Sequence, residues 1–220
     1  MSGQGLLILL VAATAFSTLA IFMKVAFGAG VNLTTLLAFR FLFSALLCFC
    51  ALVFTRKSVA LPRGQRWRIL VLGGVVHVAV SILYTLSVQQ LPASLTGLIF
   101  YLYPAIVTGL AVLIGWEKMN RLKLTALVVC FFGLLQVLGI SFGIVSTSGL
   151  MFGVAAAFGQ ACHVLLSHAI VANLSPLLAV GWSALTTSAV FFIYGVAFGE
   201  LQWSLTLLAW GAIFGTAFFA

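Results

Sequence analysis

Long apolar runs separated by short polar turns dominate this sequence and leave it few ways to fold. A membrane helix needs roughly 20 apolar residues, at about 1.5 Å rise each, to cross about 30 Å of hydrocarbon. Seven runs have that character: Leu6 to Phe27, Leu33 to Phe54, Ile69 to Ser87, Leu95 to Trp116, Leu124 to Ile140, Gly149 to Val171 and Pro176 to Phe198. An eighth begins near Leu205 and is still apolar at Ala220. Charge agrees with this reading, because only 5% of the residues are charged, against about 25% in a soluble domain. The expected fold is an all-α polytopic membrane protein. A β-barrel is excluded, since the runs are continuous and do not alternate with period two. The first run is longer than a signal-peptide core and has no basic residue before it, so it reads as a retained span.

Basic residues set the expected orientation. Arg56, Lys57, Arg63, Arg66 and Arg68 fall between the second and third runs, and Lys118, Arg121 and Lys123 between the fourth and fifth. The connections at 28–32, 89–94 and 141–148 hold none. By the positive-inside rule both basic connections are cytoplasmic, which places the N-terminus on the cytoplasmic side of a cell membrane, with the bacterial inner membrane as the expected location. The net charge of +8 then reflects topology and contact with anionic lipid at the cytoplasmic turns, not nucleic acid. The four cysteines form no C-x-x-C pair, so neither a metal nor a disulfide framework is expected.

An internal repeat is visible. Asn32-Leu33-Thr34-Thr35-Leu36-Leu37-Ala38 aligns with Asn173-Leu174-Ser175-Pro176-Leu177-Leu178-Ala179 at an offset of 141. One repeat would hold five spans, and an odd number inverts the second copy, an architecture of transporters with a midplane site. The expected organisation is a first five-helix repeat over 1–140 and an incomplete second repeat over 149–220. About seven and a half of ten spans would be present.

Leu91-Pro92-Ala93-Ser94-Leu95, Phe100-Tyr101-Leu102-Tyr103-Pro104, Gly115-Trp116-Glu117-Lys118, Gly133-Leu134-Leu135 and Arg40-Phe41 together carry a family resemblance. In order and spacing they resemble EamA-type carriers of the drug/metabolite transporter superfamily, although Trp116 stands where that family usually has Gly. The resemblance implies ten helices in inverted repeats, both termini cytoplasmic, and transport of small metabolites, with export as the expected direction.

Polar residues inside the spans supply the candidate site. Lys24 lies near a span end, where its stem reaches the interface. Arg40 lies seven residues in from Leu33, roughly 10 Å deep, and a charge there costs at least ~2.5 kcal/mol on insertion scales. It caps carbonyls or recognises an anionic substrate group. Gly73, His77, Ser81 and Tyr84 recur at helical spacing on one expected face. Tyr101 shares a face with Gly97, Pro104 and Thr108, and Pro104 is expected to kink or gate that helix. In the sixth run Gln160 and His163 share a face. In the seventh, Trp182 pairs with Thr186, while Ser183, Thr187 and Tyr194 form another face. Such faces also arise from ordinary helix packing.

The substrate-binding set is therefore Arg40, His77, Ser81, Tyr84, Tyr101, Gln160, His163 and Trp182, lining a central cavity that opens alternately to either side. No cofactor, metal or catalytic residue is expected, and no strict oligomer seam stands out. Two alternatives are an intramembrane enzyme using a Ser/His pair, such as Ser81 with His163, and a non-transporting accessory or scaffold subunit. The enzyme is disfavoured because the only carboxylates, Glu117 and Glu200, lie at membrane surfaces.

Overall fold

A computed structural model describes residues 18–118, 120, 121, 123–125, 128, 129, 132, 133, 136, 146–171 and 174–218. It is helical, with no strand among the described residues. The helices are α1 (Thr18–Gly28), α2 (Leu33–Phe54), α3 (Arg66–Val71), α4 (Val78–Gln90), α5 (Ala93–Phe100), α6 (Tyr103–Leu113), α7 (Thr147–Val171), α8 (Pro176–Ala197) and α9 (Leu207–Phe218). A π-helical stretch, Leu72–His77, joins α3 to α4 without a break. Five helical spans among the described residues are long and apolar enough to cross a membrane. Together with the composition, this makes the chain an all-α polytopic membrane protein.

Helix boundaries follow local chemistry. Asn32 caps α2 by accepting from the Thr35 N–H at 2.8 Å. Ser175 caps α8 by accepting from the Leu178 N–H, with Pro176 at the first helical position, where its missing donor costs nothing. The third helical run starts three residues before the expected Ile69 and extends to Gln90. The expected fourth span is split, because the helix stops at Phe100 and restarts at Tyr103, with Tyr101 and Leu102 in a turn. Pro104, in the first turn of α6, lacks the N–H that would continue the ladder. The expected fifth span, Leu124 to Ile140, falls largely outside the described residues.

Helix exits share a motif. Backbone N–H groups of Val31, Trp116 and Glu200 donate back five residues, to the carbonyls of Ala26, Ala111 and Gly195. The residue before each donor is a left-handed glycine, namely Gly30, Gly115 and Gly199. Helix α2 ends in the same way, with the Lys57 N–H donating to the Leu52 carbonyl, but its left-handed residue is Arg56, at φ 53°. A side chain in that conformation costs roughly 1–2 kcal/mol.

The chain divides into two compact units. The first comprises 1–78 and 170–220, the second 79–169. In the first, α8 runs antiparallel to α2: Gly181 lies against Cys48 and Phe49, and the Ser188 hydroxyl donates to the Ala38 carbonyl at 2.9 Å. Helix α9 runs parallel to α2 on another side, where Phe39 stacks edge-on with Trp210 at 4.8 Å and Ser44 donates to the Ala217 carbonyl. Gly215 of α9 approaches the Phe22 ring of α1 so closely that a Cβ there would sit 2.7 Å from it.

In the second unit, α7 runs antiparallel to α4. Ser87 donates to the Gly149 carbonyl at 3.0 Å, and Gly159 packs against Val80. Leu91, Leu95 and Ile99 form a buried cluster with Leu102 and Leu150 around it.

Candidate functional site

The densest polar arrangement within a span belongs to the first unit, where α8 meets the π-helical stretch. The Thr187 hydroxyl donates to the Gly73 carbonyl at 2.7 Å and also to the Ser183 carbonyl at 2.8 Å. Gly73 is essential to this approach. A Cβ at that position would lie 2.6 Å from the Ser183 carbonyl oxygen, 2.9 Å from its Cα and against the Thr186 hydroxyl. One helical turn on, His77 Nδ1 stands 3.5 Å from the Ser183 hydroxyl, at the outer limit of a hydrogen bond. The His77 ring meets Phe41 edge-on at 5.0 Å, and the Arg40 guanidinium lies 4.9 Å from the same Phe41 ring. Arg40 is 7% exposed. Arg40 and His77 thus both pack on the Phe41 ring, while the hydroxyls of Ser183, Thr186 and Thr187 lie along the contact of α8 with the π-helical stretch. Such π turns recur at functional sites because they displace side chains from the regular ladder.

The expected stripe Gly73, His77, Ser81 and Tyr84 runs from the π-helical stretch Leu72–His77 into α4 and crosses from one compact unit to the other. Gly73 and His77 pack in the first unit. Ser81 and Tyr84 are buried in the second, where Ser81 accepts from the Thr85 hydroxyl at 2.6 Å and Tyr84 lies edge-on to Phe100 at 4.8 Å.

The other expected site residues divide along the same line. Trp182 belongs to the first unit, where its indole N–H donates to the Val59 carbonyl at 2.9 Å and its ring packs on Phe49. That ties α8 to the connection after α2, on a different face from Ser183. Tyr101, Gln160 and His163 belong to the second unit: Tyr101 is exposed in the turn before α6, and Gln160 and His163 are half-buried on α7. Ser183, Thr187 and Phe41 were not in the expected set. The spacing of Ser183 and Thr187 marked a face of their helix, but nothing in the sequence says that this face, and not that of Trp182, meets His77.

A second polar cluster closes the opposite end of the first unit. Asn32 donates to the Glu200 carbonyl, and Thr34 donates to the Glu200 carboxylate. Gln202 accepts from the Asn32 N–H at 3.0 Å and donates to the Gly30 carbonyl at 3.2 Å. A carboxylate is well placed there, at the positive end of the α2 dipole. Among the described residues no group of three or more His, Cys, Asp or Glu could hold a metal ion.

Apolar helices of this length define a polytopic membrane protein. The EamA-like transporter family model matches residues 3–139, more than half the chain, and the chain belongs to that family. A solved structure described only as the crystal structure of a protein is similar in fold. It matches with a TM-score of 0.73 at 20% identity, over 94% of this chain and 71% of its own. A search of curated proteins returned no match.

Proposed function

We propose that the protein exports a small metabolite, an amino acid or an amphiphilic compound by alternating access, and that the cluster of Arg40, His77 and Ser183 takes part in recognising it. Family membership supports the transporter reading. The observation that carries the site is Arg40, a buried cation roughly 10 Å into α2, in a chain whose two carboxylates are confined to connections. Intramembrane charges mark substrate or ion pathways more often than packing sites. Phe41 gives the guanidinium an apolar, polarisable neighbour, and His77 and Ser183 add hydrogen-bonding groups beside it. This chemistry suits a ligand with a carboxylate or other anionic group and an apolar body.

We read 1–140 as one five-helix unit and 149–220 as an incomplete inverted copy of it. The caps of α2 and α8 align Asn32 with Ser175, two residues beyond the 141-residue sequence offset.

The test is efflux from proteoliposomes of an anionic amino acid and its neutral amide analogue. Arg40→Gln should lower the preference for the anion by at least tenfold, with transport of the amide retained. An unchanged preference would leave Arg40 a structural residue, and absence of transport for every amino acid and amphiphile tried would remove the carrier reading.

A further inference from the structure

Beyond the end of α2 in the first unit, residues 56–68 hold five cations and one exposed tryptophan. Arg56, Lys57, Arg63, Arg66 and Arg68 are all exposed, and Trp67 between the last two is 74% exposed. The unit has a single carboxylate, Glu200, which is bonded at the opposite end of α2, about 33 Å away along a 22-residue helix. No acidic residue of this unit therefore neutralises the patch.

One of the charges is held at a cost, because Arg56 occupies the left-handed exit position that α1, α6 and α8 each give to glycine. The connection after α2 is tied to α8 by the bond from the Trp182 indole to the Val59 carbonyl, and Trp67 is the kind of side chain that anchors at headgroup depth.

We infer that this patch binds anionic phospholipid headgroups of the leaflet it faces, and that Arg56 is retained against its backbone strain for that contact. Charge complementarity selects the occupant: clustered Lys and Arg beside a membrane helix attract acidic lipid, with a gain of about five-fold in affinity per cation.

The experiment follows thermal unfolding of the purified full chain in zwitterionic micelles, with added phosphatidylglycerol, phosphatidylcholine or inorganic phosphate. Phosphatidylglycerol should raise the midpoint in a saturable way that phosphatidylcholine does not match. Arg56→Gly should raise the midpoint without lipid, by removing the strain, yet weaken the apparent affinity for phosphatidylglycerol about five-fold. Arg56→Lys, which keeps both charge and strain, should retain the parent affinity. Equal responses to the two lipids, an unchanged affinity in Arg56→Gly, or a loss in Arg56→Lys would each overturn the inference. A shift reproduced by inorganic phosphate would assign the patch to a free anion and overturn it as well.

Discussion

In the first unit, side-chain hydroxyls and amides reach across to the backbone of neighbouring helices. Ser188 bonds the Ala38 carbonyl, Thr187 that of Gly73, Ser44 that of Ala217 and Trp182 that of Val59. In the second unit, the leucine and isoleucine cluster around Leu95 fills the space between elements, and Ser87 donating to Gly149 provides a buried cross-link. The difference is instructive because lipid tails are as apolar as leucine. Burying leucine against leucine gains little from leaving lipid, so close packing and interhelical hydrogen bonds must hold the helices together. The first unit uses close backbone approach, with Gly73 as its tightest point. In the second, Gly149, Gly153 and Gly159 approach side chains and no neighbouring backbone, so the flexible ends of larger residues complete the fit.

That contrast can be broken by substitution, and the largest effect is expected at Gly73. Its missing Cβ faces backbone atoms of Ser183, which cannot swing aside as a flexible side chain can. Gly73→Val should destabilise the protein by about 3 kcal/mol, read as a lowered unfolding midpoint in micelles. Hydrogen-exchange protection should fall first along α8. Protection lost first along α7 would contradict the division.

Leu95→Ala comes next. Leu95 is 1% exposed within the apolar cluster, and the cavity should cost about 2–3 kcal/mol, with exchange rising in α5 and the start of α7. An effect below about 1 kcal/mol would mean that the second unit collapses around the void, and is less tightly fitted than its burial suggests.

Thr187→Val should have the smallest effect, about 0.6 kcal/mol, the usual value of one interhelical hydrogen bond in a membrane protein. The methyl group preserves shape, so the change reads the loss of the hydroxyl shared between the Gly73 and Ser183 carbonyls. A loss several times larger would show that the cross-links of the first unit act as a network and not singly.

Much of the fold could be read from the chain because its causes are local. The run Leu33 to Phe54 is the observed α2 to the residue, since an apolar length and an Asn32 cap define both the span and its start. Ser175-Pro176 defines the start of α8 by the same means. The end of the third helical run at Gln90 lay beyond the expected Ser87, because a polar residue just past an apolar run can continue a helix until Pro92 stops it. The candidate site was legible only in part. Arg40 and His77 stood out as expensive polar residues at depth, but Phe41 and Ser183 carry no such mark.

The sequence by itself determined the membrane class, the approximate spans, the helix caps and the imbalance of charge between connections. Each follows from composition or from contacts within a few residues. Only the tertiary structure decided that the Ser183 and Thr187 face of α8 meets His77 and Gly73, that Trp182 ties a connection, and that Leu72–His77 winds as a π turn. Helices apolar on every side can pack on many faces, so their partners depend on where small residues let backbones close and where a hydroxyl finds a carbonyl across the gap.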